Sequence, residues 1–329
     1  MAIVIKLKHI SPLHMGTGKE NYDFSSSVLQ SDTISAALAA MRVQCGKVDD
    51  LKDFMESFTV SSAFPFFGQC LFFPKPQGKM NVSVSNMEEY SSRKKLKKVK
   101  FVEYETWKQL ICGESVNVQS NQLQNSFLLS SKSVSEFAVP YKSQVNQRVS
   151  VPRNDGADAD PFFFDWTYFH QEGGLFCVLD APENMETEIV ELFQMLGETG
   201  IGTDKNIGGG KFEVERAESI NFDYVKSTNA TMLLSLYIPA KEEIDSLNLL
   251  NSKYELVQRG GFLAGSQEED FKHLRKKSVY AFNVGSVFPT TTKLCGKIVN
   301  LQPSWNDERM HPVYRSGKPF AIPIKMNEL

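Results

Sequence analysis

The alternation of hydrophobic and polar positions predicts that the chain opens with a strand, a turn and a helix. Residues 2–8 (AIVIKLK) combine β-branched residues with alternation, which indicates a strand with one buried face. A glycine-containing turn over 11–20 follows, and apolar residues then recur at helical spacing over 34–41. Because serine and aspartate favour helix starts, Ser31 or Asp32 is predicted to cap this helix.

The same patterns predict the remaining elements, except in a polar stretch over 81–147. That stretch is rich in Ser, Asn and Gln and contains few apolar residues, so we interpret it as a loop or insertion with one basic helix. The second half repeats the order of strand, helix, glycine loop and strands, which is typical of an α+β layer. The other predicted elements are a helix over 50–58, strands over 69–73, 162–169 and 174–179, a helix from 183 with Gly197 as its C′ residue, and strands over 211–216 and 231–239.

The segment 197–211 (GETGIGTDKNIGGGK) holds six glycines in fifteen residues. It is not a Walker loop, since Lys205 stands where a glycine is required and Phe212 where Ser or Thr is required. Exposed glycine amides, with Lys205 and Lys211 nearby, suit a sugar-phosphate backbone. A long hairpin tip without a ligand explains the composition equally well.

Two basic segments have two interpretations each. Six of the eight residues of 93–100 are Lys or Arg. A solvated helix face with Leu96 and Val99 packed inward is the preferred interpretation, and contact with RNA phosphates is the alternative. Between residues 271 and 302 there are six Lys or Arg and no Asp or Glu. The interleaved rings there suit either single-stranded RNA or an ordinary strand with buried aromatics, the rings being Tyr280, Phe282 and Phe288.

Composition narrows the classes of protein. The chain has 329 residues, which at roughly 100–200 residues per domain suggests two domains, or one domain with large insertions. Its formal net charge of −3 excludes a global excess of cations, so nucleic-acid contacts must be local. Five scattered cysteines indicate a reducing compartment rather than disulfides or a zinc clamp. Neither a signal peptide nor a run of apolar residues long enough for a membrane span is visible, so we expect a cytoplasmic protein.

Recognisable enzyme motifs are absent, which leaves two isolated candidates for chemistry. His14 lies in the first glycine turn and could act as a general acid or base in RNA cleavage. A lone histidine without a placed partner is more often structural or in contact with RNA. Asp32 could position a metal or a ribose hydroxyl, but N-capping is the simpler interpretation.

Taken in order along the chain, eight segments resemble the RAMP-type proteins of CRISPR systems. The resemblance is greatest to the Cas5-like proteins that form the fourth subunit of type III-A Csm complexes. The segments are LKHISPLHMGTGKE (7–20), SDTISAAL (31–38), FPFFGQCLFFPKP (64–76), RVSVPRNDGADADPFFFDWTYF (148–169), GETGIGTDKNIGGGKFEV (197–214), RGGFLAG (259–265), KKSVYAFNVGSVF (276–288) and HPVYRSGKPFAIPI (311–324).

The resemblance implies an α+β fold with two ferredoxin-like (RRM-like) domains and a glycine-rich loop. The domains are expected over 1–165, with the polar insertion and a hairpin thumb, and over 166–329, with the glycine loop. It implies a subunit that is not an enzyme and has no cofactor or metal. Its expected partners are the 5′ repeat-derived tag of the crRNA, the large Palm-domain (cyclase) subunit, the backbone subunit beside the tag and, indirectly, the target RNA, with no membrane.

The thumb is expected over 148–169, with an apolar tip that displaces a nucleotide and is formed by Val149, Val151 and Pro152. The residues expected to contact RNA are His14, Gly16, Gly18, Lys19, Arg148, Arg153, Lys205, Asn206, Gly208, Gly209, Gly210, Lys211, Arg259, Gly260, Lys276, Lys277, Tyr314 and Arg315. Two alternatives stay open at this point. One is a Cas6-like endoribonuclease that cuts repeat RNA through His14, and the other is a pure interaction subunit.

Overall fold

The structure, a computed structural model, describes residues 1–16, 28–151, 158–263, 268–304 and 307–326. Helices and strands alternate in a mixed α+β arrangement, which confirms that part of the predicted fold class. The helices are α1 (Ser31–Gln44), α2 (Leu51–Ser57), α3 (Glu89–Lys98), α4 (Tyr104–Ile111) and α5 (Glu183–Thr199). Among the described residues, no helix combines the length and the apolar character needed to cross a lipid bilayer.

The strands of the first two thirds of the chain mostly join one large sheet. Its order is β13-β1-β12-β3-β4-β6-β9-β8, and β2 also pairs with β12. The strands up to this point are β1 (Ile3–Lys8), β2 (Thr59–Val60), β3 (Phe64–Phe67), β4 (Cys70–Pro74), β5 (Val82–Ser85), β6 (Phe101–Glu103), β7 (Val116–Gln119), β8 (Leu123–Gln124), β9 (Phe127–Leu128), β10 (Tyr141–Ser150), β11 (Asp160–Phe169), β12 (Gly173–Asp180) and β13 (Glu213–Arg216).

Along the chain, β1, α1, β3, β12, α5 and β13 follow one another as strand, helix, strand, strand, helix and strand. In space β1 lies between β12 and β13 and pairs antiparallel with both. Strands from before and after the proposed boundary at residue 165 are therefore hydrogen bonded to each other in one sheet. The division into 1–165 and 166–329 stays a prediction.

The rest of the chain forms smaller sheets. β14 lies between β17 and β20, while β15 pairs with β16 and β18 with β19. These strands are β14 (Ala230–Leu233), β15 (Leu256–Arg259), β16 (Val279–Phe282), β17 (Val287–Phe288), β18 (Ile298–Asn300), β19 (Tyr314–Ser316) and β20 (Ala321–Ile324). Backbone contacts join them to the first part of the chain, since the Ser62 amide donates to the Leu234 carbonyl at 2.9 Å.

The opening strand is buried on both faces, so the expectation of one buried face was wrong. Ile3, Ile5 and Leu7 pack into the core that α1 and α5 cover. Ala2 and Val4 point to the opposite core, which contains the phenylalanines of β3 and β4. The reason is that the chain supplies a second apolar layer for the other side of the sheet.

Much of that layer comes from the polar stretch, whose interpretation as a loop or insertion poor in apolar residues was therefore wrong. Its basic helix is confirmed as α3, but the stretch also forms α4, five whole strands (β5 to β9) and the first part of β10. Val102, Trp107, Ile111 and Phe127 are fully buried there. Single apolar residues spaced among polar ones were enough, because several short elements converge on one core.

Two helix ends differ from the prediction. Neither Ser31 nor Asp32 caps α1, because both lie in its first turn and the cap position is Gln30. In the second case, α5 runs past Gly197 to Thr199, and Gly200 takes the positive φ of 88° that ends the helix. Gly197 is required for close packing instead, since a Cβ there would lie 2.3 Å from the Phe212 carbonyl oxygen.

Candidate nucleic-acid interface

The glycine loop packs directly against the first turn of the chain. The Gly210 amide donates to the Pro12 carbonyl at 3.0 Å, and the Ser11 amide donates to the Lys211 carbonyl at 2.8 Å. Leu13 in turn exchanges backbone hydrogen bonds with Thr167 of β11, at 3.0 and 2.9 Å. Turn, loop and hairpin base are thereby joined, which places three of the predicted RNA-contacting segments side by side.

The glycine density is explained largely by this packing. A Cβ on Gly210 would lie 1.8 Å from the Ile201 carbonyl oxygen, and one on Gly209 would lie 2.8 Å from the Trp166 ring. Gly202 has a φ of 103°, and a Cβ there would lie 2.6 Å from the His14 carbonyl oxygen. Any other residue at these positions would force a neighbouring carbonyl group or the Trp166 ring to move.

The expectation that the loop offers free amides was wrong for its last four residues. The amides of Gly208 and Gly209 donate within the loop, to the carbonyls of Lys205 and Asp204, at 3.1 Å each. The Gly210 amide is used by the first turn, and the Lys211 amide donates to the Ser11 hydroxyl at 2.8 Å. The end of the loop closes on itself and on the first turn, so the backbone donors of residues 208–211 are satisfied before any ligand arrives.

A small exposed tip remains. Asn206, Ile207, Gly208 and Lys211 are exposed, and Lys205 is half-buried. A Cβ on Gly208 would meet nothing within 4 Å. The tip thus offers two cationic side chains, an amide side chain and open space for a close approach.

Strands β10 and β11 form a hairpin that includes the segment predicted as the thumb, and they pair in register from Tyr141 opposite Phe169 to Ser150 opposite Asp160. Arg148 links the hairpin to the glycine loop through an ion pair with Asp204, at 3.1 Å between Nη1 and Oδ2. Its guanidinium lies over the rings of Phe164 and Trp166, at 4.4 and 5.1 Å from their centroids. Sequence reasoning missed Asp204 and both rings, although FFFDW within the thumb was a visible aromatic cluster.

The thumb tip is only partly described. Val149 and Val151 are exposed, as an apolar tip requires. Pro152 and Arg153 lie outside the described residues, and so do Gly18 and Lys19 of the first turn. Gly16 is described, and a Cβ on it would lie 3.3 Å from the Thr203 methyl group in the glycine loop.

His14 is a packing residue of this junction. Its side chain is 2% exposed, and its Nδ1 lies 2.8 Å from the Asp165 carbonyl oxygen, which indicates that Nδ1 donates this hydrogen bond. The ring packs against that of Phe164, with centroids 4.4 Å apart. An imidazole enclosed in this way is not presented to a ribose hydroxyl.

A second group of predicted residues surrounds the start of α1. Asp32 is buried and accepts from Arg259 Nε and Nη2 at 3.0 and 2.9 Å, while Arg315 donates to the Asp32 carbonyl at 3.0 Å. Burial alone would raise the pKa of Asp32, but the charges of Arg259 and Arg315 outweigh it and hold that pKa below its ordinary value. The carboxylate is therefore an ion-pair partner, not a helix cap.

Cations outnumber anions around Asp32. Lys276 is also buried nearby, and burial together with the charge of Arg315 lowers its pKa to about 7. Burial likewise lowers the pKa of Arg315. The pairing of Asp32 with Arg259 joins residues 227 positions apart, which is why no local pattern predicted it.

The remaining predicted residues of this region differ in accessibility. Lys277 is exposed, Gly260 is half-buried against Ser278, and Tyr314 packs at the margin of the core that contains α1. Of the three interleaved rings, Phe282 and Phe288 are buried in a core and Tyr280 is exposed. The interpretation as a strand with buried aromatics is thus confirmed for two rings of the three.

Comparison with known families matches nearly the whole chain. The model described as the RAMP superfamily matches residues 6–213, which include β1, the hairpin and the glycine loop. The model described as the CRISPR Csm4 C-terminal domain matches residues 226–324. The chain belongs to the RAMP superfamily, in the Csm4 family of type III CRISPR systems.

Individual Csm4 relatives agree with this placement. The protein named "CRISPR system Cms protein Csm4" of Mycobacterium tuberculosis (strain CDC 1551 / Oshkosh) is 24% identical over 313 residues, which cover 93% of each chain. The protein of the same name from Thermococcus onnurineus (strain NA1) is 23% identical over 267 residues, covering 77% of this chain and 81% of its own.

Solved structures show the same fold. A chain of the Csm3-Csm4 subcomplex of a type III-A CRISPR-Cas interference complex matches with a TM-score of 0.63 at 16% identity, over 99% of this chain and 100% of its own. A chain of a Csm1-Csm4 cassette in complex with cA4 matches with a TM-score of 0.62 at 16% identity, over 100% and 99%. The fold of these solved chains therefore extends across nearly the whole of this chain.

Proposed function

We propose that this Csm4 chain is a non-catalytic RNA-binding subunit of a type III-A CRISPR interference complex in antiviral defence. In this role it holds the 5′ repeat-derived tag of the crRNA. The observation that carries the proposal is the exposed tip of the glycine loop, which presents Lys205, Asn206 and Lys211. Backbone hydrogen bonds connect the loop to the first turn, and the first turn to the hairpin base, which holds the loop in place.

The chemistry of tag binding follows from this arrangement. The ammonium groups of Lys205 and Lys211 attract phosphates, and the open space at Gly208 lets a sugar-phosphate backbone approach closely. Arg148 is a positioning residue, because its ion pair with Asp204 keeps the hairpin in register with the loop. At the hairpin end, Val149 and Val151 offer apolar surface against which a base can unstack, at a cost of a few kcal/mol.

The absence of cleavage in this proposal rests on two residues. His14 is enclosed between the hairpin and the first turn, and Asp32 is held by Arg259. A Cas6-like cleavage through His14 would need its ring to leave that environment. No observation on the described residues favours the nuclease alternative.

The proposal includes two ferredoxin-like domains and two protein partners. The order β13, β1, β12, β3, with α1 and α5 on one side, supports a ferredoxin-like first domain. The large Palm-domain subunit and the adjacent backbone subunit are proposed partners in a cytoplasmic complex, with target RNA an indirect one. Support comes from the solved assemblies that contain Csm4 together with Csm1 or with Csm3.

The test is filter binding of labelled tag RNA across a salt series. Replacing Lys205 and Lys211 by Gln is expected to weaken binding. The slope of log binding constant against log salt concentration should become less steep by about 0.7 for each phosphate that the protein no longer neutralises. The matched control carries Gln at Lys226 and Lys241, two exposed lysines outside the glycine loop. It should leave the slope unchanged. Equal behaviour of the two variants would refute the tag site and favour a pure interaction subunit.

A further inference from the structure

A strongly basic surface lies on helix α3 and on the two residues that follow it, which the proposed tag site does not use. Its cationic side chains, called the α3 patch from here on, are all exposed, whereas the whole chain carries a formal net charge of −3. The patch consists of Arg93, Lys94, Lys95, Lys97, Lys98 and Lys100. Such a local excess of positive charge destabilises the folded chain, because the like charges repel one another, and it therefore needs a physical explanation.

The way α3 is anchored turns the cations outward. Ser92 and Val99 are buried and Leu96 is half-buried, so the inward face follows the spacing i, i+4, i+7 of a helix. This confirms the predicted packing of Leu96 and Val99. The side chains between them necessarily point away from the protein, and one of them, Arg93, forms an ion pair with Glu89 on the helix surface.

The α3 patch lies far from the glycine loop. The helix leads into β6, while the glycine loop leads into β13 at the edge of the sheet. The path β13-β1-β12-β3-β4-β6 contains five strand-to-strand steps, or about 24 Å at roughly 4.8 Å a step. A ligand on α3 therefore occupies a site distinct from the proposed tag groove.

The composition of the surface distinguishes between polyanionic partners. Five of its six cations are lysines, and lysine is depleted in protein–protein interfaces, where arginine and aromatic residues are enriched. Lysine is, by contrast, well suited to phosphates as a mobile point charge. The neighbouring strands β5 and β7 expose Ser83, Asn117 and Gln119, which can hydrogen bond to ribose and phosphate oxygens.

One exposed ring completes the surface. Tyr90 in the first turn of α3 is 78% exposed, which leaves its face available for stacking against an unpaired base. We propose that the α3 patch is a second binding site, which holds the phosphate backbone of an unpaired RNA strand outside the crRNA tag. The site does not include the glycine loop, so this proposal can be tested independently of the tag proposal.

The experiment measures binding of labelled oligouridine to the full-length chain by fluorescence anisotropy across a salt series. In the α3 variant, Gln replaces Lys94, Lys95, Lys97 and Lys98. Gln is chosen because its helix propensity is close to that of Lys. The control variant has the same net charge and carries Gln at four exposed lysines elsewhere, Lys132, Lys226, Lys241 and Lys293. Circular dichroism verifies that both variants keep their helix content.

The α3 variant is expected to bind oligouridine at least about tenfold more weakly at low salt, with a slope flatter by up to about 2.8 if each lysine meets one phosphate. The control should keep the slope, and the α3 variant should still bind tag RNA. Equal losses in both variants, or none in the α3 variant, would overturn the proposal. Competition by polyglutamate as effective as that by oligouridine would also overturn it, in favour of an acidic protein partner.

Discussion

At the scale of single residues, burial changed the meaning of both candidates for chemistry. A histidine and an aspartate stand out in a sequence because histidine can act as a general acid or base and aspartate can bind a metal or a ribose hydroxyl. In the fold, His14 supports the junction of turn and hairpin, and Asp32 neutralises part of a buried cationic cluster. Both roles depend on partners distant in the chain, Asp165 and Arg259, which no local pattern specifies.

The role of Asp32 leads to a prediction on stability. Asp32→Asn removes the only carboxylate in contact with Arg259 among the described residues, while Arg315 and Lys276 stay buried close by. We expect the free energy of unfolding to fall by about 3 kcal/mol, because a buried charge then lacks its partner. Urea denaturation of the full chain measures this difference.

A matched control is available on the next helix. Asp53 also lies in a first helical turn but is exposed, and Asp53→Asn should change the free energy of unfolding by about 0.5 kcal/mol at most. Similar losses in the two variants would show that charge at a helix start, rather than the buried pair, is what matters.

At the scale of elements, the glycine loop is the clearest case of a pattern with two causes. Its composition suggested free amides for phosphate, and the structure uses those of residues 208–211 to hold the loop together. Most of its glycines serve close packing, and Gly208 lies in open space at the tip. Packing and recognition are thus divided among neighbouring residues of one loop.

Alanine substitutions separate these two kinds of glycine. Gly208 and Gly210 both have positive φ, so either change to Ala costs about 1–2 kcal/mol in backbone strain. Gly210→Ala adds a clash with the Ile201 carbonyl, and we expect it to lower the free energy of unfolding by about 2 kcal/mol more than Gly208→Ala. Thermal unfolding of both variants checks the difference, and equal costs would mean that packing does not require glycine at 210.

At the scale of the whole molecule, β1 is the strand that holds the first sheet together. It pairs with β12 on one side and with β13 on the other, and it is buried on both faces. The two strands that pair with β1 come more than 160 residues later in the chain. Folding of the first part therefore depends on residues beyond the proposed boundary at 165.

Truncation tests this dependence. A fragment of residues 1–165 lacks β12 and β13, so β1 would have two unpaired edges, and we expect no cooperative thermal transition by circular dichroism. A fragment of residues 1–225 retains both strands and α5, and it should unfold cooperatively. A cooperative transition in the shorter fragment would instead support an autonomous domain ending at 165.

The local patterns were sufficient for elements whose hydrophobic periodicity is strong. The helices over 50–58 and from 183, and the strands near 162–169 and 174–179, were predicted close to their observed bounds, because such periodicity depends only on neighbouring residues. The α+β class follows from the same local segments and their order.

Tertiary structure alone decided which residues share a surface and which are enclosed. Phe101, Trp107 and Phe127 form a core only because short elements of a polar stretch converge, and Arg148 meets Asp204 only because a hairpin folds onto a loop. Burial, ion pairing and hydrogen bonding of this kind arise between segments far apart in the chain. They therefore determine which of the candidate residues, such as Lys205, Lys211 and the α3 patch, face outward to meet RNA.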